Sequence, residues 1–266
     1  MLKLVGRVAV ITGGAGSMGS AQARLFAREG ASVCVADTNI AGARTVAEEI
    51  RERGGHAIAC ELDVRVAAAW EETVATTERR FGHLDTLCNI AGANYRVGFD
   101  EQTEEMWRAI IDTNLTAYFL GTKAVVPAMR RAGRGVILNT GSLASIMQGP
   151  AGPAYGVSKI GLLGLTRGAA ATYAKDNIRC VLISPGHVDT DFLRGNKPHS
   201  SNDESTDLDV PENYQKRVEQ TPLGRLCTPE DIAKTFLFAA SDDASMITGS
   251  MITVDGGAAL WLARSR

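Results

Sequence analysis

The segment Arg7-Val-Ala-Val-Ile-Thr-Gly-Gly-Ala-Gly-Ser-Met-Gly19 decides the fold of this chain. It begins as an apolar run of strand type, ends in a glycine-rich turn, and is followed by helical periodicity near residues 17–29. Such a turn lets a phosphate approach bare backbone, and the helix N-terminus supplies amide donors and a positive dipole end. Two glycine patterns fit: Gly-x-Gly-x-x-Gly through Gly14, Gly16 and Gly19, or Gly-x-x-x-Gly-x-Gly through Gly13 and Gly19 with Ser17 in the middle glycine position.

Beyond this segment, short apolar runs alternate with helical patterns. Strands are predicted at Arg7–Ile11, Ser32–Ala36, His56–Cys60, Asp85–Cys88, Gly135–Asn139, Ile178–Ile183 and Ser250–Val254. Helices are predicted near residues 17–29, 40–53, 66–81, 101–132, 154–175 and 229–240. The alternation predicts an α/β fold of the doubly wound Rossmann type: a seven-stranded parallel sheet with helices on both faces and ligands at the carboxyl ends of the strands.

The length of 266 residues suits one domain over residues 1–266. The polar stretch Asp189–Thr221 breaks the alternation, and within it Asn196–Asp203 is interpreted as loop. Because it follows the sixth predicted strand, we predict a substrate lid at about residues 189–221.

Composition narrows the expected partners and location. With a net charge of −2, 22% charged residues and 45% hydrophobic residues, neither a nucleic acid nor a membrane is expected as a partner. The start of the sequence shows no secretion signal. Five cysteines, an odd number without metal-ligand spacing, suit free thiols in a reducing cytosol. We therefore expect a cytoplasmic protein that holds no metal.

Three side chains further along suggest acid–base chemistry: Ser142, Tyr155 and Lys159. Tyr155 and Lys159 are four residues apart, so on a helix they share one face. A phenol with a pKa of about 10 is a poor base near neutrality, but a nearby ammonium favours the phenolate. Ser142 could hold the reacting oxygen of an alcohol or ketone. The alternative is an ordinary half-buried tyrosine beside a solvated lysine.

Asp37 ends the second predicted strand, 18 residues after Gly19. A carboxylate there accepts hydrogen bonds from both adenosine ribose hydroxyls and repels a 2′-phosphate. No lysine or arginine occurs between Thr12 and Arg24 to bind that phosphate, so NAD is favoured over NADP as cofactor. The alternative is an aspartate that caps the next helix.

Taken in order, these motifs make the sequence resemble the short-chain dehydrogenase/reductase family over essentially its whole length. Ser142 precedes Tyr155 by 13 residues, the usual family separation, and Tyr155-Gly-Val-Ser-Lys159 matches the family signature. Further matching segments are Thr12–Gly19, Asp63–Val64, Asn89-Ile-Ala-Gly92, Asn114 in Thr-Asn-Leu-Thr, Pro185-Gly-His-Val-Asp-Thr190, Gly224-Arg225, Thr248-Gly249 and Val254-Asp-Gly-Gly257. Three residues depart from the pattern without removing a proton-transfer group: Ser17, Ile90 and Val181.

The resemblance implies a role for each matched residue. Tyr155 exchanges a proton with the substrate oxygen while a hydride passes between the carbinol carbon and the nicotinamide. Ser142 stabilises that oxygen, Lys159 binds the nicotinamide ribose, and Asn114 links Lys159 to solvent through a water. The implied cofactor-binding residues are Gly13, Ser17, Met18, Gly19, Asp37, Asp63, Val64, Asn89, Ala91, Gly92, Tyr155, Lys159, Pro185, Gly186, Val188 and Thr190.

The substrate is less well defined. Family position implies a pocket that suits a medium-sized or cyclic secondary alcohol or ketone, with candidates Asn94, Tyr95, Met147, Gln148 and His187. No cluster of basic residues demands an anionic substrate. Arg96 and Arg194 lie close enough to the candidate pocket residues in sequence that an anionic substrate stays an alternative. His187 is interpreted as a pocket wall rather than a second base.

Several alternatives remain at this point. An NAD-dependent cis-dihydrodiol dehydrogenase would use the same catalytic groups. Asp37 disfavours an NADPH-dependent ketoacyl reductase, and the short Tyr155–Lys159 spacing disfavours an enoyl reductase. A non-catalytic NAD-binding sensor need not keep all three catalytic side chains. The family also implies a homo-oligomer, a tetramer or dimer, formed through helices near 101–132 and 154–175 and through the C-terminal segment.

Overall fold

Strands and helices alternate through the computed structural model, which describes residues 2–147, 151–195, 200–201 and 206–260. The first half contains β1 (Val8–Thr12), α1 (Ser17–Arg28), β2 (Ser32–Asp37), α2 (Ile40–Glu52), β3 (His56–Glu61), α3 (Ala67–Phe81) and β4 (Thr86–Asn89). The second half contains β5 (Asn94–Tyr95), α4 (Glu104–Ile111), a π-helical turn (Asp112–Thr116), α5 (Ala117–Ala132), β6 (Gly135–Thr140), α6 (Pro153–Tyr173), β7 (Ile178–Pro185), β8 (Ser200–Ser201), α7 (Pro211–Glu219), α8 (Pro229–Ala240) and β9 (Met251–Val254).

Seven strands form one parallel sheet in the order β3-β2-β1-β4-β6-β7-β9. β1 lies at the centre of the winding: Val8 pairs with Ser32 of β2 on one side, and Ala9 pairs with Thr86 of β4 on the other. The direction of winding reverses between β1 and β4, which is where doubly wound sheets bind their ligands. The predicted seven-stranded parallel sheet is confirmed.

Alternate residues of β1 enter two separate hydrophobic cores. Ala9 and Ile11 pack with residues of α1, α2 and α8, whereas Val10 packs with residues of α3, α5 and α6. This follows from the two-residue period of a strand, which sends successive side chains to opposite faces. Helices therefore cover both faces of the sheet, as predicted, and within the described residues none is long and apolar enough to cross a membrane.

Two segments differ from the sequence-based expectation. The helix predicted over 101–132 begins only at Glu104, and the π-helical turn Asp112–Thr116 divides it into α4 and α5. The stretch Asp189–Thr221 is not loop throughout: it contains α7, a short strand at Ser200–Ser201 and a 3₁₀ turn at Asp191–Leu193. Pro211 starts α7 at a position where proline favours a helix, a signal that the polar composition obscured.

Helices α3 and α5 meet closely at Gly121. A Cβ atom added at this glycine would lie 2.6 Å from the indole ring of Trp70, which is fully buried. The ring is itself held in place, because its Nε1–H donates to the carbonyl oxygen of Val64 over 2.8 Å. The glycine is therefore required by packing on this face of the sheet.

We expect Gly121→Ala to lower the free energy of unfolding by about 1–2 kcal/mol, because overpacking outweighs the gain in helix propensity. Gly168→Ala in α6 is the control, since nothing lies within 4 Å of its added Cβ, and it should raise stability by about 0.5–1 kcal/mol. Urea denaturation measures both. Unchanged or raised stability of the Gly121 variant would contradict the packing argument.

Candidate active site

The glycine-rich turn that joins β1 to α1 depends on glycine at Gly13 and Gly19. Gly13 has a φ of 64°, in the left-handed region. Its carbonyl oxygen accepts the N–H of Gly16 over 3.1 Å, and a Cβ on Gly19 would collide with that same oxygen. The N–H of Gly14 donates to Ala36 of β2 over 3.1 Å, which fixes the turn against the neighbouring strand.

The N-terminus of α1 leaves its amides open to a ligand. The first bond of the helix runs from Ser20 N–H to the Gly16 carbonyl oxygen over 2.9 Å. The amides of Ser17, Met18 and Gly19 therefore have no acceptor within the helix. The N-cap is Gly16, which has no side chain, and the first turn contains no acidic residue. This arrangement fits a phosphate group.

Asp37 ends β2 beside that turn. One carboxylate oxygen accepts the N–H of Ala15 over 3.0 Å, and the other accepts the N–H of Asn39 over 2.8 Å. The cap of the next helix is Asn39, whose side chain accepts from Gly42, so Asp37 does not fill that position. Asp63, at the end of the following strand, instead binds the Arg65 guanidinium through both oxygens, while Val64 is buried beside it.

The loop after β4 is tied to β1 through one hydroxyl. Thr12 Oγ1 donates to the Cys88 carbonyl over 3.3 Å and accepts the N–H groups of Ile90, over 2.9 Å, and Ala91, over 3.2 Å. Asn89 is anchored to β6: its amide donates to Asn139, and its carbonyl accepts the Thr140 hydroxyl. The predicted segment Asn89–Gly92 thus lies directly against the glycine-rich turn.

Asn114 lies in the π-helical turn and is completely buried. Its Oδ1 accepts the Ala93 N–H and its Nδ2 donates to the Ala93 carbonyl, both over 2.8 Å. The same Nδ2 lies 3.4 Å from Ser158 Oγ, which donates to the Tyr155 carbonyl over 2.7 Å. The asparagine therefore connects the loop after β4 with the helix that carries Tyr155.

Ser142, Tyr155 and Lys159 come together at the carboxyl end of β6. The Ser142 side chain faces the phenol of Tyr155 and favours its ionised form. Ser142 is itself fixed, since its Oγ accepts the Ala144 N–H and its own N–H donates to Ser145 Oγ, each over 3.2 Å. Lys159 Nζ donates to the Thr140 carbonyl over 2.8 Å and lies 5.5 Å from the centroid of the Tyr155 ring.

Burial controls the protonation of this group. It raises the pKa of Tyr155, against the opposing effects of the Ser142 hydrogen bond and the charge of Arg96. It also lowers the pKa of Lys159 to about 7. Desolvation leaves Lys159 only partly charged near pH 7, so the lysine favours the phenolate less than the sequence-based expectation assumed.

His187 follows Pro185-Gly186 at the end of β7 and contacts a residue that the sequence reasoning missed. Its Nδ1 lies 3.1 Å from a guanidinium nitrogen of Arg217 on α7. Its buried Nε2 has no hydrogen-bond partner in the structure as described. Burial, and then the charges of Arg217 and Arg96, lower the pKa of His187 to about 4 even though Asp255 opposes them. The imidazole is therefore neutral near pH 7.

The remaining predicted residues are those proposed to contact the substrate and the nicotinamide. Asn94 is fully buried, and neither atom of its side-chain amide has a partner among the described residues. Tyr95 is half-buried beside it, and Met147 precedes Gln148, which lies outside the described residues. Arg194 is bound by Asp189 and Asp209. Along the segment after β7, Gly186 bonds Val254, Val188 is buried and bridges to Cys227, and the Thr190 hydroxyl lies near the Val188 carbonyl.

The described cysteines suit structural positions better than catalytic ones. All five are unpaired and buried. Burial raises the pKa of Cys88 and raises that of Cys180 to about 12, so both thiols stay protonated. Within the described ranges no group of three or more metal-binding side chains is close enough to hold an ion.

Comparison with known proteins agrees with this geometry. The family model described as enoyl-(acyl carrier protein) reductase matches residues 13–259. A 2,5-dichloro-2,5-cyclohexadiene-1,4-diol dehydrogenase of Sphingobium indicum is 38% identical over 96% of this chain and 97% of its own length. A cis-4-hydroxycyclohexanecarboxylate dehydrogenase of Sinomonas cyclohexanicum is 36% identical over 94% of this chain and 96% of its own.

A solved structure extends the comparison to three dimensions. A short-chain type dehydrogenase/reductase from Mycobacterium marinum superposes with a TM-score of 0.86 at 28% identity, covering 97% of each chain. The chain belongs to the short-chain dehydrogenase/reductase family and is an oxidoreductase that acts on CH–OH groups with a nicotinamide cofactor.

Proposed function

We propose that this chain interconverts a cyclic secondary alcohol and its ketone with NAD: the alcohol and NAD⁺ give the ketone, NADH and a proton. The observation that carries the proposal is the half-buried phenol of Tyr155 facing the Ser142 side chain, with Lys159 Nζ 5.5 Å from the ring centroid. The names of the two relatives, a cyclohexadienediol dehydrogenase and a hydroxycyclohexanecarboxylate dehydrogenase, support a ring-shaped substrate of medium size.

Within the site each side chain has a distinct task. Tyr155 takes the hydroxyl proton in oxidation and returns it in reduction. Ser142, fixed by the turn that it caps, donates a hydrogen bond to the substrate oxygen and stabilises charge there. Lys159, partly charged near neutrality, favours the phenolate and exchanges protons with solvent. Asn114 positions this exchange path, since it bonds both Ala93 and Ser158.

The chain's residues fit the nicotinamide cofactor. Open amides at the N-terminus of α1 suit the pyrophosphate, and the hydroxyl-anchored loop Asn89–Gly92 lies next to them. When bound, the oxidised cofactor supplies the acceptor for the substrate's hydride. Lys159 would hold the nicotinamide ribose, and Pro185, Gly186, Val188 and Thr190 would line the nicotinamide side.

The choice of NAD over NADP depends on Asp37. Each of its oxygens accepts only one backbone N–H, so lone pairs remain for the two ribose hydroxyls. A 2′-phosphate would place a second negative charge beside this carboxylate. Arg65, a basic residue after the next strand, does not offset this charge, because its guanidinium is paired with Asp63.

Two alternatives would give different results in the same assay. A diol dehydrogenase is favoured by the name of the Sphingobium relative and would prefer cis-dihydrodiols over simple cyclic alcohols. A non-catalytic NAD-binding sensor would bind the cofactor but turn over neither class. A spectrophotometric NADH assay with a panel of cyclic alcohols and dihydrodiols separates the three.

We also propose a lid and a homo-oligomer in one cytoplasmic domain. The contact of Arg217 with His187 supports a lid that spans about 189–221 and closes on the site through α7. Exposed apolar side chains on α4, α5 and α6 support association of this face with a second copy, in a dimer or tetramer: Trp107, Phe119, Val157 and Ile160. Unpaired cysteines support a reducing compartment.

Tyr155→Phe removes the proton acceptor and should lower kcat by at least about 100-fold, with little change in the Kd for NADH. Steady-state NADH formation and cofactor fluorescence measure the two effects. Tyr173→Phe, at the far end of the same helix, is the control and should be close to the unmodified enzyme. Substantial residual turnover in the Tyr155 variant would overturn the assignment.

Asp37→Ala removes the hydrogen-bond acceptors proposed for the adenosine ribose. We expect the KM for NAD to rise about 10-fold or more, and the ratio of kcat/KM for NADP to that for NAD to rise as well. Glu61→Ala, at the paired position on β3, controls for loss of a carboxylate at this edge. An unchanged NAD/NADP ratio would count against the ribose argument.

The buried Lys159 should leave a signature in stability. Its pKa is about 7 in the folded chain against 10.5 ordinarily, so between these values the unfolded state binds more protons. Stability from this group is therefore full above pH 10.5 and lost as pH falls toward 7.

We expect the free energy of unfolding to rise from pH 7 to 9 relative to Lys159→Met, by at most about 1.4 kcal/mol per pH unit. Chemical denaturation at several pH values measures the difference. Exposed Lys123 provides the control, since Lys123→Met should run parallel to the unmodified protein. Parallel curves for the Lys159 variant would show that this lysine is not desolvated.

A further inference from the structure

Arg217 is a part-buried arginine whose charge is not matched by a carboxylate in the described part of the chain. Its guanidinium donates to His187 Nδ1 and to the Thr206 carbonyl, each over 3.1 Å. Eleven other arginines pair with a carboxylate: Arg7, Arg24, Arg51, Arg65, Arg79, Arg108, Arg130, Arg131, Arg134, Arg194 and Arg225. Burying an unpaired cation is costly, so a compensating anion is expected at Arg217.

Arg179 is a second part-buried arginine without a carboxylate partner among the ion pairs of the described residues, and its hydrogen bonds differ from those of Arg217. It too is part-buried, but its guanidinium donates to three backbone carbonyls, those of Ile247, Ala239 and Ser241. Two of these close the C-terminal end of α8, where a positive charge is favourable. Arg217 makes one such bond, to Thr206, and one bond to His187, and it has five N–H groups, so donors remain for a ligand.

The tautomer of His187 supplies a second donor at the same place. Because a guanidinium can only donate, Nδ1 of His187 accepts, and the neutral ring carries its hydrogen on Nε2. That Nε2–H group is buried and has no acceptor among the residues described. Leaving a buried donor unsatisfied normally costs the folded protein about 1–3 kcal/mol, so we expect a ligand to supply an acceptor for this group as well.

A second positive charge, that of Arg96, acts on this pair and on the reacting centre. The charge of Arg96 acts on both His187 and the phenol of Tyr155. Arg96 also stacks on Phe192, with its guanidinium carbon 5.7 Å from the ring centroid. Asp255 is the acidic group that acts on His187, and its oxygens accept the N–H groups of Gly257 and Ala259. His187 follows β7, which pairs with β6 up to Thr140, the residue whose carbonyl binds Lys159, so this cluster lies at the end of the sheet that holds the reacting group.

From this we infer that Arg217 and the Nε2–H group of His187 bind a carboxylate of the substrate, so that the preferred substrate is a cyclic hydroxy acid or the corresponding oxo acid. The inference rests on the proposed function, whose alcohol oxidation at Tyr155 it leaves unchanged. Arg217 and His187 then act as specificity-determining residues. A planar guanidinium with a neighbouring N–H matches the two oxygens of a carboxylate.

Cofactor phosphates are the competing source of negative charge. The open amides of α1 and Asp37 place the adenine half of the cofactor beside β1 and β2, whereas His187 and Arg217 belong to the end of β7 and to α7. A substitution of Arg217 that lowered the affinity for NADH rather than for the acid would show that the arginine binds the cofactor. The two outcomes are separable in one experiment.

The test measures binding and so does not depend on turnover. The full-length enzyme saturated with NADH is titrated calorimetrically at pH 7.5 with cyclohexanecarboxylate and with cyclohexanecarboxamide. The two ligands share a ring and differ in charge. The acid should bind at least about 10-fold more tightly than the amide.

Arg217→Met should lower the affinity for the acid by about 30-fold or more, while the affinities for the amide and for NADH change less than about 3-fold. The affinity of Arg217→Lys for the acid should lie between those of the unmodified enzyme and Arg217→Met. Lys216→Met is the matched control, because it removes the same charge from an exposed position on the same helix and should leave both ligands unaffected.

Equal binding of acid and amide, or no measurable binding of the acid, overturns the inference. So does an equal loss for both ligands in Arg217→Met, which would mean that the arginine only shapes the lid. A separate NADH assay compares cis-4-hydroxycyclohexanecarboxylate with its carboxamide. If the enzyme oxidises the acid and the carboxamide equally well, the carboxylate site is refuted but the proposed function stands. If it oxidises no cyclic alcohol, the proposed function itself is refuted.

Discussion

The two hydrogen bonds between the Asn114 amide and the Ala93 backbone hold the halves of the site together. Ala93 continues the loop that Thr12 fixes against the glycine-rich turn, and Asn114 also approaches Ser158 on the helix of Tyr155. Asn114 lies in the π-helical turn, an irregularity that is frequent at functional sites. The cofactor side and the proton-transfer side thus keep a fixed separation.

Local patterns were sufficient to predict the sheet and its covering helices. The strands are continuous apolar runs, the turns require glycine, and the site lies at the carboxyl ends that a doubly wound sheet must place together. The order of motifs also predicted the meeting of Ser142 with Tyr155. Each of these features depends on neighbours in sequence or on a topology with few alternatives.

What the sequence did not predict depends on tertiary contacts. The division of the 101–132 helix by a π-helical turn has no local signal, because Asn114 is drawn inward by Ala93. Helix α7 was hidden by its polar composition, and with it Arg217, whose partner His187 is 30 residues away. Desolvation likewise reversed the expected shift in the pKa of Tyr155, since burial is a property of the whole fold.

The central claim is that the phenol of Tyr155 works beside a carbinol carbon that gives its hydride directly to the nicotinamide. Mass spectrometry of the reduced cofactor tests this with cis-4-hydroxycyclohexanecarboxylate deuterated at the carbinol carbon. The account predicts that NADH formed in ordinary water carries the substrate's deuterium. NADH without deuterium, or no NADH at all, would contradict it.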